Sequence, residues 1–301
     1  RPGTLERLGL EYDVLKKHNP KIIQMSITGY GETGPYSKRR VYDPLIQATA
    51  GVSDAQSLEG QPKYMKTLMC DKVTSLTAAQ AMTAALYKRE KTNEGQRITL
   101  SMLDTALYFM WCDSMYNYTW HGDDWTPMPN IADFYEPVKT KDGHIALVAI
   151  NDSEFAGVLK AIGKEDLLED ERFSTTENRL MNVMEMQAIL LNAYSEFTSE
   201  ELLKRMEEND VPAAKINTRE EVLTDPQVLN NNSIISTNKD GKEILRGPKP
   251  PANFTGTDCD EPTFSPALGQ HSSEILKEYG YSDEEINSLI DNEIVQGGKI
   301  G

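Results

Sequence analysis

Asp71 opens the run DKVTSLTAAQAMTAALYKRE, where the following residues are small or apolar until a basic end. Two chemistries suit an aspartate in that place. Asp is a preferred helix N-cap, a role that stabilises by about 1 kcal/mol. It is equally a carboxylate nucleophile or acid–base group, because the helix dipole favours negative charge there and small neighbours leave room for a substrate. Residue types alone favour the cap. A second candidate is SKRR at residues 37–40, the densest basic cluster in the chain. It reads either as a solvated loop or as a phosphate clamp, since the guanidinium fork matches phosphate oxygens. A third is GYGETG at residues 29–34, which matches G-x-G-x-x-G with an acid, Asp54, further on. A dinucleotide fingerprint must open a helix. Here Pro35, Tyr36 and Ser37 follow, so a tight glycine loop beside a site is the better reading. The histidines, His18, His121, His144 and His271, share no metal-ligand spacing, and no metal is expected. There is no G-x-S-x-G elbow and no Cys/His nucleophile pattern.

Those residues need elements to hold them. LERLGLEYDVLKKHNP reads as a helical segment ending at Asn-Pro. Residues 21–28, KIIQMSIT, read as a buried strand, and 42–51 as a helix. Residues 71–91 form a helix stopped by Thr-Asn-Glu-Gly, then 96–102 a strand and 103–120 a long aromatic helix. Strand, helix, strand in that order predicts an α/β unit with parallel pairing. VKTKDGHIALVAI predicts a hairpin turning at Asp-Gly, followed by helices to about Glu208 and a strand at 211–217. Residues 121–130 and 230–264 read as irregular connections, and the tail as two short helices with a Ser282–Glu285 capping box.

Composition excludes several classes. The 301 residues are 39% hydrophobic and 26% charged, a globular balance with length enough for two cores. A net charge of −16 argues against non-specific nucleic-acid binding. No apolar run approaches the roughly 20 residues that span a bilayer. Three widely spaced cysteines suggest neither a disulfide framework nor zinc, and a reducing cytoplasm is the expected setting.

Five segments in order carry a resemblance: NPKIIQMSITGYGETGPYSKRRVYDPLIQATAG, CDKVTSLTAAQAMTAALYKREKTNEGQRITLSMLDTAL, YEPVKTKDGHIAL, VPAAKINTREEVLTDPQVL and PALGQHSSEILKEYGYSDEEI. Together they resemble family III CoA-transferases, the CaiB/BaiF-like group, over nearly the whole chain. Asn93 stands where the family's turn has its first glycine, and 125–137 lacks the glycine run some members carry.

The resemblance implies an enzyme that moves coenzyme A from an acyl-CoA to a carboxylic acid, with CoA as substrate and no resident cofactor. It places the nucleophile on Asp71, which passes through an acyl anhydride and an aspartyl-CoA thioester. It places CoA contacts on Arg1, Arg7, Arg40, Val41, Tyr42 and Asp43, preferring Arg40 within SKRR. A substrate loop is expected from Gly29, Tyr30, Gly31, Pro129 and Asn130. It implies a Rossmann-like large domain from 1–102 and 256–301, a linker helix at 103–127, a smaller α+β domain at 128–229 and a return linker at 230–255. An interlocked homodimer is expected, and a longer N-terminal segment than this chain has. Related racemases carry His where Tyr42 stands, so transferase is favoured over 2-methylacyl-CoA racemase. A non-catalytic truncated subunit is the remaining alternative.

Overall fold

The structure is a computed structural model that describes residues 1–58, 60–120, 122, 125–128, 136–239, 242–257 and 265–297. It divides into two compact units, 1–214 and 215–301.

The first unit opens with two short helices, α1 (Thr4–Arg7) and α2 (Tyr12–His18), rather than one helical segment. Gly9 breaks them by taking φ 67°, a left-handed backbone that a side chain disfavours. Strand β1 (Ile23–Thr28) pairs in parallel with β2 (Gln96–Ser101), Ile23 opposite Gln96 and Thr28 opposite Ser101. Between them lie α3 (Asp43–Thr49), α4 (Val52–Ala55) and the 24-residue α5 (Met69–Thr92). Asn93 ends α5 in the left-handed conformation, φ 60°, where Asn is tolerated in place of glycine. Gly95 then lets β2 enter the sheet, because a Cβ there would stand 1.9 Å from the Ile22 carbonyl oxygen.

Helix α6 (Met102–Ser114) follows β2 without a loop. It is shorter than the sequence predicts and passes into a 3₁₀ turn at Tyr116–Tyr118. Ile46, Ala50, Val52, Met69, Cys70, Ala106 and Met110 make one core where α3, α4, α5 and α6 meet.

A second core in the same unit is larger. β3 (Val138–Lys139) and β4 (His144–Leu147) form the expected antiparallel hairpin, and β5 (Ala213–Lys215) completes a three-stranded sheet. Helices α7 (Asp152–Ala161), α8 (Thr176–Met181), α9 (Val183–Tyr194) and α10 (Ser199–Glu208) run between β4 and β5. Ile145, Leu159, Leu202 and Met206 are wholly buried there, each side chain contributing roughly 1.5–3 kcal/mol by burial.

The second unit contains α11 (Pro226–Asn230), capped by Asp225, then β6 (Ile234–Lys239) antiparallel to β7 (Lys242–Pro248). The stretch expected to be irregular thus holds a hairpin. Its prolines begin only at the end of β7, and the missed signal is the Asp-Gly pair at 240–241. The predicted tail helices are α12 (Ser272–Glu278) and α13 (Asp283–Asp291), the latter with the Ser282–Glu285 capping box in place.

Candidate active site

Helix α5 begins at Met69, two residues before Asp71, and its N-cap, Leu68, offers no side-chain acceptor. Asp71 is therefore the third helical residue, in the first turn, and not the cap. The acceptor that a cap would supply comes from another helix. Asp43, the first residue of α3, accepts a hydrogen bond from the Asp71 backbone N–H at Oδ2, 3.0 Å away. Asp43 is 2% exposed. Its other oxygen accepts from Gln47 Nε2 at 2.5 Å, so the buried charge has a donor on each side, as a buried carboxylate requires.

Gln47 is 1% exposed. Its amide oxygen accepts from the Met65 N–H at 2.9 Å, and its amide nitrogen also donates to the Thr67 carbonyl at 3.2 Å. Cys70 lies beside the same pair, fully buried. Burial above all, and then the Asp43 and Asp71 charges, push its thiol up to about 11. By contrast the Asp71 side chain is exposed. Thr74, Ser75 and Thr77 turn their hydroxyls back onto the carbonyls of Cys70, Asp71 and Val73. That back-bonding satisfies the polar side chains within the helix.

The other half of the site is a cleft of about 390 Å³ lined by Arg1, Pro2, Ile27, Thr28, Gly29, Ser37, Arg39, Arg40, Val41, Tyr42 and Met102. Arg1, Gly29, Arg40, Val41 and Tyr42 were all expected at the site, and the fold brings them together. The chain closes up here because Gly29 has no side chain: a Cβ would stand 2.3 Å from Val41 Cγ1. The Gly29 carbonyl accepts from the Leu103 N–H at 3.0 Å, tying the loop to the start of α6. Arg39 stacks on the Tyr36 ring at 3.8 Å, and Tyr36 meets Tyr30 edge to face at 5.7 Å. Arg40 has no hydrogen-bond or ion-pair partner among the described residues. A guanidinium without a protein anion is the group an incoming phosphate can use.

The glycine loop does not open a helix; turns follow it until α3 begins at Asp43. Gly31 donates its N–H to Thr28 Oγ1 at 3.1 Å, so that amide is already used. Arg7 is not in the cleft: it ends α1 and donates to Thr4 Oγ1 at 3.0 Å. Pro129 and Asn130 lie outside the described residues, next to Met128, whose backbone is paired in both directions with the Asn117 side chain. Sequence reasoning passed over Gln47 and ranked Arg39 below Arg40. The available signal for Gln47 was its place four residues after Asp43, on one face of α3.

Asp71 and the cleft are linked through adjacent residues. Tyr42 lines the cleft, and Asp43, next in the chain, holds the Asp71 amide. Among the described residues no group of three His, Cys, Asp or Glu could hold a metal ion, and no helix is long and apolar enough to cross a membrane.

Comparison with known proteins places this geometry. An acyl-CoA transferase of Fusarium pseudograminearum is 32% identical over 98% of this chain and 66% of its own length. The succinate–glutarate CoA-transferase of Agrobacterium fabrum is 32% identical over 91% of this chain and 69% of its own. The human succinyl-CoA:glutarate CoA-transferase is 31% identical over 98% of this chain and 68% of its own. This chain thus spans about two thirds of the length of these relatives. A CaiB/BaiF family protein from Brucella suis superposes with a TM-score of 0.75 at 30% identity, covering 92% of this chain and 72% of that one. The sequence profile of CoA-transferase family III matches residues 1–272, and the chain belongs to that family.

Proposed function

We propose that the protein transfers coenzyme A between an acyl-CoA donor and a carboxylic acid acceptor, with Asp71 as the nucleophile. One observation carries the reading: an exposed carboxylate in the first turn of α5 is tied through Asp43 to a cleft with an arginine that is unpaired among the described residues. The relatives named for succinyl-CoA and glutarate make those two compounds the first donor and acceptor to test.

In this mechanism the Asp71 carboxylate attacks the thioester carbonyl. The C–S bond breaks, leaving an aspartyl–acyl anhydride and CoA thiolate. The thiolate attacks the aspartyl carbonyl, releasing the donor acid and forming an aspartyl-CoA thioester. The acceptor carboxylate attacks that thioester, giving a new anhydride and freeing the thiolate again. The thiolate then attacks the acceptor's acyl carbon, which restores Asp71. Each exchange swaps one activated carboxyl for another, so covalent catalysis divides the transfer into steps of similar energy. Arg40, with Arg1 and Arg39 beside it, would hold CoA phosphate while Tyr42 borders the path to Asp71. Backbone N–H groups at the start of α5 or in the glycine loop would face the developing oxyanions.

The interlocked homodimer, the large domain from 1–102 and 256–301, and a cytoplasmic setting belong to the same reading. Free thiols at Cys70 and Cys112 fit a reducing compartment. The test is mass spectrometry of the complete protein after succinyl-CoA is added and the reaction trapped. A CoA adduct on the peptide containing Asp71 is expected. Full activity in Asp71→Ala would sink the reading. Deuterium entering the α-carbon of a 2-methylacyl-CoA with no acceptor acid present would point to racemisation instead.

A further inference from the structure

The Asp71 carboxylate has no hydrogen-bond or ion-pair partner among the described residues. Its place is therefore set by its backbone, and that backbone is held from α3. Three bonds do it. The Met65 N–H and the Thr67 carbonyl are held by the Gln47 amide, and the Asp71 N–H by Asp43. Both holding side chains are buried, four residues apart on α3, and bonded to each other.

We propose that Gln47 is a positioning residue for Asp71, acting through Asp43 and through the segment that leads into α5. The inference rests on Asp71 being the nucleophile. Gln47 uses both amide hydrogens, one on Asp43 and one on Thr67, and its oxygen on Met65. Only a primary amide offers two donors and an acceptor in one plane. A glutamate of the same shape keeps the acceptor for Met65 but turns a carboxylate toward the Asp43 carboxylate. Either Asp43 turns away or the entry segment shifts, and the Asp71 amide loses its acceptor in both cases. A displaced nucleophile costs rate steeply, because about 1 Å of misplacement can cost on the order of a hundredfold.

The complementary pair D43N/Q47E restores the contact between the two side chains with its polarity reversed, and leaves the Thr67 carbonyl without its donor. The Asn side-chain oxygen accepts from the Asp71 N–H while its amide donates to the Glu carboxylate. D43N alone leaves the Asn nitrogen facing one of two donors, Gln47 Nε2 or the Asp71 N–H, so one of the two contacts is lost.

The experiment compares the complete wild-type protein with Q47E, D43N and D43N/Q47E. It measures kcat with succinyl-CoA and glutarate, CoA affinity, melting temperature, and hydrogen exchange at the Asp71 amide. In Q47E and D43N, kcat should fall by about 10- to 100-fold, and in Q47E CoA affinity should stay within about twofold because Gln47 lines no part of the arginine cleft. Exchange at the Asp71 amide should quicken, and the double variant should recover both readouts in part. A Q47E that lowers only the melting temperature, with kcat and Asp71 exchange at wild-type values, overturns the proposal. So does a D43N/Q47E no better than the sum of its singles. Failure of the wild-type protein to form a CoA adduct on Asp71 would sink the functional reading instead, and the exchange data would still decide whether Gln47 holds that backbone.

Discussion

The two cores of the first unit differ in how their helix starts are held. Around the core of residues 138–211, three of the four helices between β4 and β5 are capped locally: Asn151, Thr175 and Thr198 each accept from the backbone N–H three residues on, and α9 alone has no side-chain cap. Polar pairs there are both near and far in sequence: Asp170 meets Arg172, and Asp152 meets Arg179 from 27 positions away. Around the core of residues 46–110, α1 to α5 have no side-chain cap, and only α6 has one, from Ser101. The important helix start is held from a distance, by a buried Asp and Gln on another helix. Large apolar groups stay uncovered around both cores: Leu76 is 73% and Tyr108 83% exposed beside a cleft of about 630 Å³ between α5 and α6, and Met181 is 86% exposed at the end of α8. The difference separates stability from placement. A local cap stabilises whichever helix carries it, whereas the remote Asp43–Gln47 clamp fixes where one particular turn stands.

The sharpest way to break this contrast is a crossed pair of substitutions. Under the proposed mechanism Asp71→Ala should lower kcat by at least about a thousandfold, through loss of the covalent step. It should move stability by no more than about 0.5 kcal/mol, as an exposed side chain does. Leu202→Ala should do the reverse, costing about 2–5 kcal/mol in urea unfolding through the cavity it leaves, with the activity of the folded fraction unchanged. If Arg40 holds a CoA phosphate as proposed, Arg40→Ala should weaken CoA about 10- to 100-fold, the loss of a charged hydrogen bond. Calorimetry at rising salt should show that difference shrinking, because exposed charges are screened.

Smaller effects sharpen the same contrast. Cys112 is exposed and Cys70 fully buried with its thiol pushed up to about 11. Iodoacetamide at pH 8 should modify Cys112 and leave Cys70 unlabelled until the protein unfolds. Equal labelling in the native state would mean the region beside Asp71 opens readily. Asn151→Ala should cost about 1 kcal/mol as a lost cap.

Glu154, its partner in the capping box, is held below its ordinary 4.5 by hydrogen bonds from the Ile150 and Asn151 N–H groups. A folded-state value below the unfolded one means the contribution is present above about 4.5 and fades as pH falls through the folded value. Denaturation at pH 7 and pH 3 should therefore show a smaller drop for Glu154→Gln than for wild type.

The legible parts of the fold were those with local signals. The Asp-Gly hairpin at 142–143, the parallel β1–β2 pair flanking α5, and the Ser282–Glu285 box follow from turn chemistry, periodicity and capping. Gly9 splitting α1 from α2, and α6 ending at Ser114, were not legible, because each depends on a backbone choice that helix-forming residues around it mask.

By itself the sequence determined the family and the α/β order of elements, and marked Asp71 and the 37–40 basic cluster as candidates, each with a bland reading beside the chemical one. These depend on residue types in linear order, which any reading of the chain preserves. Tertiary structure alone decided that Asp71 is a first-turn residue rather than a cap. It decided that Arg39 and Arg40 share a cleft with Arg1 and Tyr42 while Arg7 does not, and that Asp43 and Gln47 hold the α5 entrance. The Asp71–Asp43 bond joins residues 28 positions apart. No local propensity encodes such a contact; it exists only once packing has brought α3 and α5 together and removed water from between them.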